Sequence, residues 1–135
     1  MNDGQIKTFV QELVSELAGI ESVWLFGSRA NESFRPDSDW DLMVFADQEA
    51  FAALRRQNQL KNEYIDVIIV IDMETFSEPW PENTSNCKSG DFSTWEWERY
   101  TPDLAKYTSV KYLSDDWFKS GQSEIKRLVA KRIWP

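Results

Sequence analysis

Two apolar periods run along this chain, and they predict its elements in order. Ile6, Phe9, Val10, Leu13 and Leu17 recur at helical spacing, so residues 5–18 are expected to form an amphipathic helix. Asp3 is the expected N-cap and Gly19 the stop. Ser22 to Phe26 reads as a strand that ends in Gly27-Ser28. A second strand follows Asp39-Trp40-Asp41. Alternation puts Met43 and Phe45 on the face of the two aspartates and Trp40, Leu42 and Val44 on the other. Asp47 to Asn62 fits a second helix capped by Asp47, with Ala50, Phe51, Leu54 and Leu60 inward. Tyr64 to Ile71, Y-I-D-V-I-I-V-I, is the most hydrophobic strand.

The second half is less regular. Ser77 to Gly90 is polar and holds Pro79 and Pro81, so a loop is expected. From Trp95 onward, Phe92 to Tyr100 alternates apolar and charged residues, which predicts a strand with Trp95 and Trp97 on one face. A short helical turn over Pro102 to Tyr107 and a short strand over Val110 to Leu113 follow. Residues 122–134 read as a closing helix with Ile125, Leu128, Val129 and Ile133 on one stripe. Lys126, Arg127, Lys131 and Arg132 would face outward. The tail's rings are expected to cover the sheet face of Met43, Phe45, Ile68 and Val70; the competing reading has Trp95 or Trp97 stack on a base or meet a partner protein. Together these elements predict an α/β (α+β) fold: one mixed sheet with helices on one face and carboxylates on the other. A single domain over residues 1–135 is expected, with a core at about 5–75 and an aromatic-rich extension at about 90–135.

Composition narrows the chemistry. The chain has no His and a single Cys, Cys87, so His-based triads and His- or Cys-bound zinc are excluded. Any metal must be held by oxygen, which favours Mg2+, Mn2+ or Ca2+. One thiol makes no internal disulfide and suits a reducing cytoplasm, the expected location. No run of 18 apolar residues is present, and the start lacks a basic segment followed by an apolar one, so neither a membrane span nor a secretory signal is expected. The net charge of −8 makes nucleic acid an unfavoured partner.

Chemistry concentrates between Trp24 and Leu42. Gly27 permits a tight turn and a close ligand approach, and Ser28 could cap a helix whose free N–H groups attract phosphate. Arg29 lies beside that anion site and could meet a phosphate or pair with a carboxylate such as Glu32. Asp39 and Asp41 point to one side of a strand with Cα atoms about 6.6 Å apart. Carboxylates so spaced, beside a phosphate cradle, could hold the paired metal ions of phosphoryl or nucleotidyl transfer. Asp66, alone in its apolar strand, is costly to bury unless paired or metal-bound; the competing reading is a strand-end Asp that reaches solvent.

Gly27-Ser28-Arg29-Ala30 and Arg35-Pro36-Asp37-Ser38-Asp39-Trp40-Asp41-Leu42 resemble the signature of the DNA polymerase β-like nucleotidyltransferase superfamily, in its minimal form. Asp66 fits the third carboxylate of that family. Asn31 and Glu32 stand where many members carry a basic residue and a glycine, which bears on the triphosphate contacts of this loop. The resemblance covers residues 5–71 and implies the palm-like fold and transfer of a nucleoside monophosphate, from ATP or another nucleoside triphosphate, to a hydroxyl acceptor. It implies Mg2+ or Mn2+ on Asp39, Asp41 and Asp66, with Asp66 also receiving the acceptor's proton, and the triphosphate on Gly27, Ser28 and Arg29. It further implies an acceptor that is a protein or small molecule, with antitoxin-type adenylylation of a HEPN-type toxin as one case. Two alternatives stand beside it: a non-catalytic nucleotide- or partner-binding module of the same fold, and a sugar-nucleotide transferase using Asp-x-Asp with Mn2+. The upstream Gly-Ser turn and the short chain count against the latter.

Overall fold

The structure is a computed structural model and describes residues 2–31, 34–80, 88–112 and 123–135. Glu32, Pro81, Cys87 and Leu113, which figured in the sequence reading, lie outside the described residues. The first helix, α1 (Asp3–Glu16), starts with a capping box at Asn2. Asn2 Oδ1 accepts the Gln5 N–H at 3.0 Å, and Gln5 Oε1 accepts the Asn2 N–H at 2.8 Å. Asn2 therefore caps the helix in place of the expected Asp3, whose corresponding partner would be the apolar Ile6.

Strands β1 (Ile20–Phe26) and β2 (Trp40–Ala46) pair antiparallel, with Phe26 opposite Asp41. Helix α2 (Gln48–Arg55) then crosses to β3 (Ile65–Ile71), which runs parallel to β2 and sets Asp66 opposite Asp41. Asp47 caps α2 as expected, its Oδ1 accepting the Ala50 N–H at 2.8 Å. The helix is shorter than its pattern predicts. It ends at Arg55, where the Leu54 carbonyl is taken by Trp80 Nε1 and by the Gln57 N–H; a 3-10 turn at Asn58–Leu60 follows.

The remaining strands are β4 (Thr75–Ser77), β5 (Ser89–Asp91), β6 (Glu98–Thr101), β7 (Leu104–Tyr112) and β8 (Ser123–Trp134). Among the described residues these eight strands form one mixed sheet in the order β5-β4-β3-β2-β1-β8-β7-β6. Four expectations are corrected here. Within the segment 122–134, Ser123–Trp134 is strand β8 and not a helix, because it fills the open edge of β1 on one side and pairs with β7 on the other. Pro102 to Tyr107 is a hairpin turn followed by β7, not a helical turn. Phe92–Trp95 is a 3-10 turn capped by Asp91, so the strand starts only at Glu98. The ends of the polar stretch Ser77 to Gly90 pair as β4 and β5.

The sheet separates two cores. On the helical side, Ile6, Phe9, Leu13, Phe51 and Leu54 pack on Trp40, Leu42, Val44, Val67 and Ile69. On the other, Trp24, Met43, Phe45 and Val70 lie under Phe92, Trp95, Trp97 and Tyr107. Trp97 sits 5.0 Å from Phe45 and 5.1 Å from Trp24, ring to ring. The rings of the second half thus cover this face, as the alternation of β2 and β3 requires. Among the described residues no helix is long and apolar enough to cross a membrane.

Candidate functional site

The site is built at one end of the sheet, where β1 finishes and β2 and β3 begin. Gly27 turns the chain with φ +71°, and a Cβ placed there would overlap Asp41 Oδ2. The carboxylate of Asp41 thus fills the space a side chain would take, which explains the glycine. Ala30 N–H donates to the Gly27 carbonyl and Asn31 N–H to the Ser28 carbonyl, each at 3.2 Å. These bonds close one short turn, and no longer helix begins at Ser28. Among the described residues nothing accepts the N–H of Ser28 or of Arg29.

Asp41 and Asp66 are cross-strand partners on adjacent parallel strands, and Asp39 stands exposed just before β2. Burial, then the charge of Asp66, pushes Asp41 up to about 6; Lys88 opposes this, while Asp39 and a hydrogen bond to Asp66 add to it. Asp66 is exposed, yet partial burial and then the charge of Asp39 raise it too. Lys88 pulls it back, Glu78 raises it, and the hydrogen bond from Asp41 lowers it. The hydrogen bond between them raises Asp41 and lowers Asp66, so a proton taken up by the pair is favoured on Asp41.

Arg29 is placed differently from the expectation that it meets phosphate. Its guanidinium donates to the carbonyls of Ser38 at 2.9 Å and Pro36 at 3.2 Å. It also lies over the rings of Phe34 at 4.5 Å and Trp40 at 4.6 Å. Arg29 holds the loop that delivers Asp39. The structure also adds residues that the sequence reading did not assign to the site. Lys88 and Glu78 act on the carboxylates from the β4–β5 hairpin, and Tyr107 Oη accepts the Gly27 N–H at 2.8 Å. Burial raises the Tyr107 phenol, the bond from Gly27 pulls it back, the Asp41 charge raises it again and Asn31 lowers it. No local pattern marks Tyr107, 80 residues away in sequence.

Two cavities meet at Asp66 and Glu78. One of about 410 Å3 runs between Phe26, Phe76 and Trp95 to Asp41 and Lys88. The other, about 470 Å3, is lined by Asn58, Lys61, Asn62 and Glu63. A separate apolar cleft of about 280 Å3 between α1, Leu25 and Ile133 reaches none of the carboxylates. Among the described residues no three acidic or thiol side chains converge as a ready-made metal cage. The donor set nevertheless suits a hard divalent ion. It is oxygen only, and a cation would offset both the burial and the mutual repulsion that raise the paired aspartates.

Residues 8–82 match the family model described as "Polymerase beta, Nucleotidyltransferase". The chain belongs to this family. Comparisons with curated proteins and with solved structures found no match. The matched segment holds Gly27, Ser28, Asp39, Asp41 and Asp66 and ends before β5. Strands β6, β7 and β8, with Tyr107, lie outside it.

Proposed function

We propose that this nucleotidyltransferase moves a nucleoside monophosphate, AMP from ATP, to a hydroxyl on a protein or small molecule and releases pyrophosphate. The observation that carries the reading is the in-register pair Asp41 and Asp66, with Asp39 alongside and Asp41 seated against Gly27. Asp39, Asp41 and Asp66 would hold Mg2+ or Mn2+, which when bound neutralises charge on the phosphates. Ser28 offers an open N–H to the triphosphate beside those carboxylates. Asp66, the more exposed of the pair, would take the acceptor's proton as the acceptor oxygen bonds to the α-phosphorus and the bond to the β-phosphate breaks. Such transfer asks mainly for positioning and charge neutralisation. ATP as donor is what the family resemblance implies, and a HEPN-type toxin in an antitoxin-type reaction is one acceptor it implies, beside small molecules.

A second reading, a non-catalytic binding module of this fold, is favoured by one observation. Two groups expected at the triphosphate, the Gly27 N–H and the Arg29 guanidinium, already have partners within the protein. The three aspartates, all retained, oppose it. Purified protein with labelled ATP, Mg2+ or Mn2+ and lysate of the native host separates the two. Label reaching an acceptor, and lost in Asp39→Asn/Asp41→Asn, supports the transferase. ATP binding without label transfer supports the module.

A further inference from the structure

Both backbone groups of Gly27 are gripped by side chains. Its N–H donates to Tyr107 Oη at 2.8 Å, and its carbonyl accepts Asn31 Nδ2 at 2.8 Å. Asn31 is in turn fastened to β8: its Nδ2 donates to the Val129 carbonyl at 3.1 Å, and its Oδ1 accepts the Val129 N–H at 2.9 Å. The β1–β8 ladder runs to Leu25 opposite Lys131. Two residues further along β8, the Asn31 amide takes the place of a strand backbone. Tyr107, on β7, is 2% exposed, with its ring edge-on to Phe26 at 5.9 Å.

These bonds fix two successive peptide planes. The Gly27 carbonyl and the Ser28 N–H belong to one planar trans unit, so they point in opposite directions. Holding the carbonyl toward Asn31 and β8 sets the direction of the open Ser28 N–H. Holding the Gly27 N–H fixes the plane before it, and with it the surface on which Asp41 rests. We infer that the β7–β8 hairpin, outside the family segment, is a working part of the transfer site: Tyr107 and Asn31 are positioning residues that orient the Ser28 N–H and seat Asp41. This rests on the nucleotidyltransferase reading above. It also gives Asn31 a role at the position where many family members carry a basic residue: the side chain holds the turn and does not contact phosphate.

Tyr107→Phe removes the hydroxyl and keeps the ring; Asn31→Ala removes the amide. Tyr100→Phe, on the exposed edge strand β6, is the control. Two readouts are needed: the affinity for ATP with Mn2+, and hydrogen exchange at the Gly27 amide, each beside a thermal midpoint. Tyr107→Phe is expected to weaken Mn2+–ATP binding about five- to tenfold, the worth of one hydrogen bond, with the midpoint within a few degrees of wild type. Its Gly27 amide should exchange faster. Tyr100→Phe should change neither readout. Asn31→Ala should weaken binding at least as much; if it fails to fold, Tyr107→Phe decides alone. Wild-type affinity in Tyr107→Phe, or an unprotected Gly27 amide in the wild type, overturns the positioning role while leaving the functional reading intact. A wild-type protein that binds no Mn2+–ATP defeats the functional reading and the positioning role with it.

Discussion

At Gly27 a hydrogen stands where any other residue would put a carbon overlapping the Asp41 carboxylate, and at Gly19 the same holds for Asp47. Both glycines have positive φ, so a side chain at either is strained as well as crowded. Gly27→Ala and Gly19→Ala are each expected to cost about 1–3 kcal/mol in chemical denaturation. Only Gly27→Ala should also abolish ATP binding, because Asp47 caps α2 and takes no part in the site. Asp41 itself carries a pH signature. Its folded value of about 6 exceeds the ordinary carboxylate value of 3.8, so the metal-free native state binds more protons than the unfolded chain between those values. Stability therefore falls as pH rises through that window and stays lower above it. Asp41→Asn removes the penalty. At pH 7.5 the metal-free variant should be more stable than wild type by about 1–2 kcal/mol, after allowance for partial exposure, with the difference vanishing below about pH 3.5. A variant less stable than wild type at pH 7.5 would refute that assignment.

At the scale of elements, β8 separates what local sequence encodes from what the sheet imposes. Ile125, Leu128, Val129 and Ile133 fit a helical period, yet the segment is a strand because β1 has an unpaired edge to fill. No window of local residues shows that need. The two readings differ at Ala130. A helix would leave it off the apolar stripe, whereas the strand buries it fully in the second core. Ala130→Leu is expected to destabilise by about 1–3 kcal/mol through overpacking; a neutral effect would favour the helix. The first half was legible for the opposite reason. In α1, β1, β2 and β3 the apolar period is unambiguous and Gly19, Gly27 and Asp47 punctuate it. Asp39 and Asp41 could be picked from spacing and Asp66 from its place in an apolar strand and the family resemblance, and the approach of Asp41 to Asp66 follows from the parallel register of β2 and β3. Tyr107, Lys88 and Glu78 could not be picked, since only the assembled sheet and its hairpins bring them to the site.

The whole molecule is one sheet whose family-matched part is incomplete by itself. Without β8 the edge of β1 is open, and without Phe92, Trp95, Trp97 and Tyr107 the rings and chains of Trp24, Met43, Phe45 and Val70 are bare. A chain ending at residue 82, where the family match stops, is expected to lack a cooperative melt and to bind hydrophobic dye; a sharp, wild-type-like transition would contradict that. Nucleotidyl transfer is defined by attack on the α-phosphorus rather than the γ-phosphorus. Protein, Mg2+ or Mn2+ and acceptor-bearing lysate should be given ATP labelled at the α-phosphate in one reaction and at the γ-phosphate in another. The expected result is acceptor labelled only from the α position, with pyrophosphate released and both signals lost in Asp66→Asn. Label arriving from the γ position, or α-label transfer undiminished in Asp66→Asn, would contradict nucleotidyl transfer by these carboxylates.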